Sequence, residues 1–98
     1  MVRHIVFWKL KDNAEGNDKE VNARIMKEKL EALVGKIDGL IKAEVGFNFN
    51  PGGYDVCLYS ELTSKQALEE YQIHPLHLEV KDFVQNVVTD RAVTDCEM

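Results

Sequence analysis

The hydrophobic pattern changes period along the chain, and each change marks an element. Val2 to Leu10 is rich in Ile, Val, Phe and Trp and is apolar at both parities, with Val6 and Trp8 on one and Ile5 and Phe7 on the other. A strand apolar on both sides is covered on both sides. Asp12 to Asp18 is polar and reads as a loop. From Lys19 to Val34 the apolar positions Val21, Ile25, Leu30, Leu33 and Val34 recur at helical spacing, and Gly35 suits the residue that follows a helix. Leu40 to Phe47 alternates, with Ile41, Ala43, Val45 and Phe47 set against Lys42 and Glu44. That is a strand with one wet face.

Asn48 to Gly53, with Pro51-Gly52-Gly53, predicts a turn. Tyr54 to Leu62 is a further strand apolar at both parities. Thr63-Ser64-Lys65-Gln66 fits a capping box and starts a helix whose buried side carries Ala67, Leu68 and Tyr71. Pro75 disfavours helix at His74 and suits the first turn of a new helix, a short one with Leu76, Val80, Phe83 and Val84 on its apolar side. Val87 to Cys96 is the last strand. No internal repeat and no linker interrupts the series.

The order β-α-β-β-α-(α)-β predicts an α+β fold, a ferredoxin-like four-stranded antiparallel sheet with helices on one face. The other face carries Ile5, Phe7, Cys57 and Tyr59 on the two expected central strands, too large an apolar patch for a monomer to leave in water. Two sheets packed face to face bury it and protect the edge strands, so a homodimer is expected.

Composition narrows the classes. Ninety-eight residues make one domain, which buries roughly 65% of the surface of its unfolded chain. A net charge of −5 with no Lys/Arg cluster argues against nucleic acid and anionic membrane surfaces. No stretch reaches the ~20 apolar residues of a membrane span. The first strand follows Met1 at once and has no signal-peptide pattern. Cys57 and Cys96 have neither metal nor redox spacing, and on these grounds they read as reduced thiols in a cytoplasmic protein. Cys57 reads as a small core residue, and in this topology the first strand separates the two thiols, so no disulfide is expected. No metal ligand set and no cofactor-binding motif is present.

The candidate chemistry is concentrated at Tyr71-Gln72-Ile73-His74-Pro75-Leu76-His77, which holds all of the chain's 3 histidines but His4. His77 falls near the third residue of the last helix, where backbone N–H groups and the dipole oppose imidazolium. A neutral imidazole there is either a general base or a donor to a nearby carbonyl. Tyr71 is a core aromatic whose hydroxyl reaches His77 or projects to solvent. His74 reads as a helix cap. His4 shares the parity of Val6 and Trp8, and either lines a cavity or satisfies a buried neighbour. Arg91 either binds an anionic ligand or pairs with Asp90, Asp95 or a carboxylate of the other subunit, and the salt bridge is the better reading. Glu20, Glu28 and Glu31 form a solvated helix face with a Lys27–Glu31 pair. A ligand site, on strand parity, lies between helices and sheet with His4, Trp8, Leu58, Tyr71, His77 and Arg91 around it.

Arg3-His4-Ile5-Val6, Gly53-Tyr54-Asp55-Val56, Tyr71 to His77, and Asp90-Arg91 with Asp95 appear in the order seen in the stress-responsive α/β-barrel (Dabb) family, and the whole chain resembles it. The resemblance implies a ferredoxin-like homodimer that forms an α+β barrel. Its polyketide-cyclase branch closes a linear chain by an intramolecular aldol step. There a histidine matching His77 is the proposed base, a tyrosine matching Tyr71 supports it, and a histidine matching His4 lines the pocket. This chain has Val56 where that branch has a further histidine, and Trp8 and Arg91 where its pocket is aliphatic.

Three functions follow as expectations. The first is a small dimeric barrel that binds a small apolar ligand. The second is a cofactor-free cyclase or isomerase with His77 as base beside Tyr71. The third is a heme-linked or monooxygenase-like barrel, by analogy with other dimeric ferredoxin-like proteins.

Overall fold

Alternation along the first strand sets the architecture. In the computed structural model, which describes residues 1–98, β1 (Val2–Leu10) buries Val2, His4, Val6, Trp8 and Leu10. Its other parity, Arg3, Ile5, Phe7 and Lys9, stays partly or fully open. The chain continues as β2 (Asn13–Ala14), β3 (Asn17–Asp18), α1 (Lys19–Glu31), β4 (Leu40–Phe47), β5 (Val56–Leu62), α2 (Lys65–Ile73), α3 (Pro75–Val87) and β6 (Val88–Glu97). The sheet order is β4-β5-β1-β6 with every pair antiparallel, which is the ferredoxin-like arrangement. All 3 helices pack against the even-numbered face of β1 and β5, where the core lies.

Local chemistry accounts for the departures from the predicted boundaries. Asp12 to Asp18 is not an open loop. Asn13 pairs with Asp18 and Ala14 with Asn17 around Glu15 (φ 51°) and Gly16 (φ 76°), the two positive-φ positions of a tight hairpin turn. Asn22 of α1, wholly buried, donates to the carbonyl of Ala14 at 3.0 Å and so ties this hairpin to the helix.

α1 ends at Glu31 rather than Val34, and it buries Asn22, Ala23, Met26 and Leu30. Val21 and Ile25 lie at its flank and Val34 is exposed. The first half of the apolar spacing therefore ran one residue beside the core stripe, because Asn22 counts as polar yet is buried, while Leu30 and Leu33 are buried as expected. Gly39 closes the segment after α1 at φ 85°, where a Cβ would stand 2.7 Å from the Cβ of Ala67. Only glycine fits that approach.

In β4 the strict alternation breaks. Leu40 pairs with Leu62 and Lys42 with Glu61, so Ile41 is the extra residue of a bulge and turns out to solvent. Ala43 and Val45 are buried while Phe47, at the strand end, is about half exposed. Lys27 and Glu31 do more than solvate α1. Glu31 accepts from the N–H of Val45 at 2.9 Å and Lys27 donates to its carbonyl at 2.9 Å, while the two pair at 2.7 Å. Together they satisfy backbone groups of an edge strand that would otherwise be open to pairing.

The cap of α2 is Ser64, whose Oγ accepts from Ala67 N–H at 3.0 Å, one residue later than the capping box predicted. β5 begins at Val56, with Tyr54 and Asp55 leading into it. α3 runs 13 residues, a full helix rather than a short piece. Its cap is His74, whose Nδ1 accepts from Leu76 N–H at 3.1 Å with Pro75 at the first helical position. The thiols of Cys57 and Cys96 are free, on β5 and β6 with β1 between them. Cys57 is partly exposed on the open sheet face rather than in the core. No helix is long and apolar enough to cross a membrane.

Candidate functional site

Between α3 and the β1–β6 side of the sheet lies a cavity of about 170 Å³. Its floor comes from β1 as His4, Val6 and Trp8, with Leu58 from β5 beside them. Its roof is one face of α3, where His77, Val80, Lys81, Val84 and Gln85 recur at helical spacing. Arg91 of β6 stands opposite Trp8 in the strand register and closes one side.

Five of the residues read from the sequence thus converge: His4, Trp8, Leu58, His77 and Arg91. Tyr71 does not line the space. Its ring lies against His77, with centroids 4.0 Å apart and planes 22° from parallel, and it meets His4 edge-on at 6.1 Å. The expected hydrogen bond from Tyr71 to His77 is absent, and the tip is not in solvent either, since the hydroxyl is buried without a partner. Burial pushes this phenol above its ordinary range, so it stays neutral and gives up its proton less readily than an exposed tyrosine.

The two cavity imidazoles differ in their support. His4 is 2% exposed, and its Nδ1 lies 2.5 Å from Oδ1 of Asp95, the residue across from it on β6. A carboxylate accepts, so Nδ1 carries the hydrogen, and in the neutral ring the other nitrogen, Nε2, is the acceptor. That is an orienting pair of the kind that holds a base in one tautomer. His77 has no such partner: its Nδ1 is buried and unbonded. The backbone of Tyr71 and Gln72 lies near the ring, but no hydrogen bond of ordinary geometry joins it to Nδ1. Burial first, then the Lys81 ammonium and His4, push the His77 imidazole down to about 4 against a weaker opposing pull from the backbone of Tyr71 and Gln72. Desolvation, more than the helix N-terminus, keeps it neutral. A neutral His77 polarises or hydrogen-bonds a ligand well and accepts a proton poorly near pH 7.

Within the chain, Arg91 makes neither of its two expected salt bridges, with Asp90 or with Asp95. Asp95 is engaged by His4, and Asp90 accepts only from the Arg91 backbone N–H at 2.8 Å. The guanidinium is left at the mouth of the cavity. Lys81 and Gln85 were not singled out from sequence, yet their spacing of four and eight residues from His77 puts them on the same helical face. No group of three or more His, Cys, Asp and Glu side chains is placed to hold a metal ion.

The family model of the stress responsive A/B barrel domain matches residues 2–98, and the chain belongs to that family. It is 34% identical over 79 residues to an uncharacterized protein of Streptomyces coelicolor, covering 79% of each chain. Among solved structures it is similar to a dimeric ferredoxin-like protein of unknown function from Bacteroides fragilis, with 37% identity, TM-score 0.88 and coverage of 99% and 95%. The hydroxynitrile lyase of Passiflora edulis shares the fold, with TM-score 0.77 at 19% identity and coverage of 97% and 90%.

The buried imidazole makes stability depend on pH. The unfolded chain takes up the His77 proton near 6.5, but the folded chain resists it down to about 4. Between those values the unfolded state binds more protons, so stability falls as pH falls through this window and levels below it. Urea unfolding at pH 7 and pH 4.5 should show this loss, on the order of a few kcal/mol. His77→Gln should flatten it, and an unchanged slope in that variant would refute the assignment.

Proposed function

We propose that this member of the stress-responsive A/B barrel family is a homodimer that takes a small, largely apolar molecule into the cavity between α3 and the sheet. The observation that carries the ligand reading is an apolar space onto which two buried imidazoles, His4 and His77, converge. A concave apolar site with a few convergent polar groups is where small ligands bind.

The dimer rests on the open sheet face. Ile5, Phe7, Cys57 and Tyr59 occupy it, Phe7 is 38% exposed, and a hollow of about 480 Å³ lies between Phe7, Tyr54, Cys57 and the exposed Phe47 and Phe49. The similar protein from Bacteroides fragilis is dimeric, which supports a dimer here.

A second reading, proton transfer, is favoured by the Asp95–His4 pair. In it His4 Nε2 accepts a proton from a carbon beside a carbonyl, the C–H electron pair moves onto the carbonyl oxygen, and neutral His77 stabilises that oxygen. Fold likeness to the hydroxynitrile lyase adds no substrate to this reading.

Sedimentation at micromolar concentration should give a dimer burying more than ~1,000 Å², and Ile5→Glu with Phe7→Glu should give a folded monomer; a wild-type monomer would end the dimer claim. Trp8 is the chain's 1 tryptophan and lines the cavity, so its fluorescence reports occupancy. Neutral phenylacetamide should change it saturably, and Val84→Phe should abolish the effect by filling the space. An identical response in that variant would mean that binding lies elsewhere. For proton transfer, deuterium entry into the methylene group of phenylpyruvate should be faster than in buffer, lost in His4→Ala, about 10²-fold slower in Asp95→Asn and retained in His77→Gln; exchange at the buffer rate in the wild type rejects this reading.

A further inference from the structure

The cavity does not share the charge of the protein around it. The chain has a net charge of −5, yet the 12 residues lining the cavity include Lys81 and Arg91 and not one carboxylate. The two cations come from different walls. Lys81 is one helical turn beyond His77 on α3, and Arg91 is the partner of Trp8 on β6.

Neither cation is engaged by an acid of its own chain. The ion pairs of the chain involve Arg3, His4, Lys19, Lys27, Lys42 and Lys65. Asp95, on the same face of β6 as Arg91, is bound to His4, and Asp90 meets only the Arg91 backbone. The Lys81 charge is felt inside the cavity, where it opposes protonation of His77. Unpaired cations at the mouth of a low-dielectric space raise its potential and favour a counter-charge there. Behind them the walls are apolar, with Val6, Leu30, Leu58, Val80 and Val84.

We propose that the ligand of this cavity is a small organic carboxylate whose apolar body lies over Trp8 and Val84 and whose carboxylate sits at the mouth between Arg91 and Lys81. The planar fork of Arg91 suits a carboxylate better than a diffuse dipole. His4 and His77 then face the opposite end of the molecule. This rests on reading the cavity as a ligand site, and it adds the charge and the orientation.

The test compares phenylacetate with its uncharged isostere phenylacetamide, each titrated against the full-length protein with Trp8 fluorescence as the readout. Phenylacetate should bind about tenfold tighter than the amide. Arg91→Gln and Lys81→Gln should each remove most of that advantage and leave the affinity for the amide unchanged. Added salt should weaken the carboxylate and spare the amide. Equal affinity for the two probes overturns the proposal and leaves the cavity a neutral ligand site. Failure of both probes overturns the proposal together with the reading beneath it. If Arg91→Gln leaves phenylacetate binding intact but loosens the dimer, the guanidinium serves the other subunit and the proposal is likewise wrong.

Discussion

The alternation of β1 is the constraint on which the rest depends. The strand is central, paired with β5 on one side and β6 on the other, so its two faces cannot trade places without moving both neighbours. One face sends Val2, Val6, Trp8 and Leu10 under the helices and carries His4 with them. The other presents Ile5 and Phe7 to the open side. Core, cavity floor and exposed apolar patch are therefore consequences of a single register. Slipping it by one residue would bury Arg3 and Lys9 and expel Trp8.

Above that floor, the corner between α2 and α3 fixes what the cavity can do. His74 ends one helix and caps the next, and Pro75 sets the start of α3. His77 is thereby turned inward onto the ring of Tyr71. The stack packs both rings closely but leaves the Tyr71 hydroxyl and the His77 Nδ1 without partners. Each such orphan costs about 1–3 kcal/mol. A fold that satisfies Asn22 and Ser60 in full retains those two beside its cavity. Departures from local consistency of that kind are characteristic of functional sites.

Most of the candidate site was legible because strand parity is a strict rule. His4, Trp8 and Leu58 share the even-numbered face, and His77 follows from the proline-fixed corner. The roles were less legible than the positions. Sequence reasoning offered the Tyr71 hydroxyl either a bond to His77 or an exposed tip, whereas stacking decided the geometry of the two rings. Asp95 looked like a partner for Arg91 four residues away, but in an extended strand it is the cross-strand neighbour that matters, and antiparallel pairing put Asp95 opposite His4. Lys81 carried a signal in its four-residue spacing from His77 and was missed because an exposed lysine on a helix is commonplace.

The sequence by itself determined the order of the helices and of the four long strands, the four-stranded sheet with its helices on one face, the buried parity of β1 and β5, and the cap at His74. These depend on periods of two and 3.6 residues and on the backbone rules of proline, all of which act locally. The tertiary structure alone decided the bulge that turns Ile41 outward, the burial of Asn22 under a hairpin, the Lys27–Glu31 clamp on the edge of β4, and the pairing of His4 with Asp95 that leaves Arg91 free. Each of these depends on which residues distant in the chain meet across a strand or a helix face, and local period carries no information about that meeting.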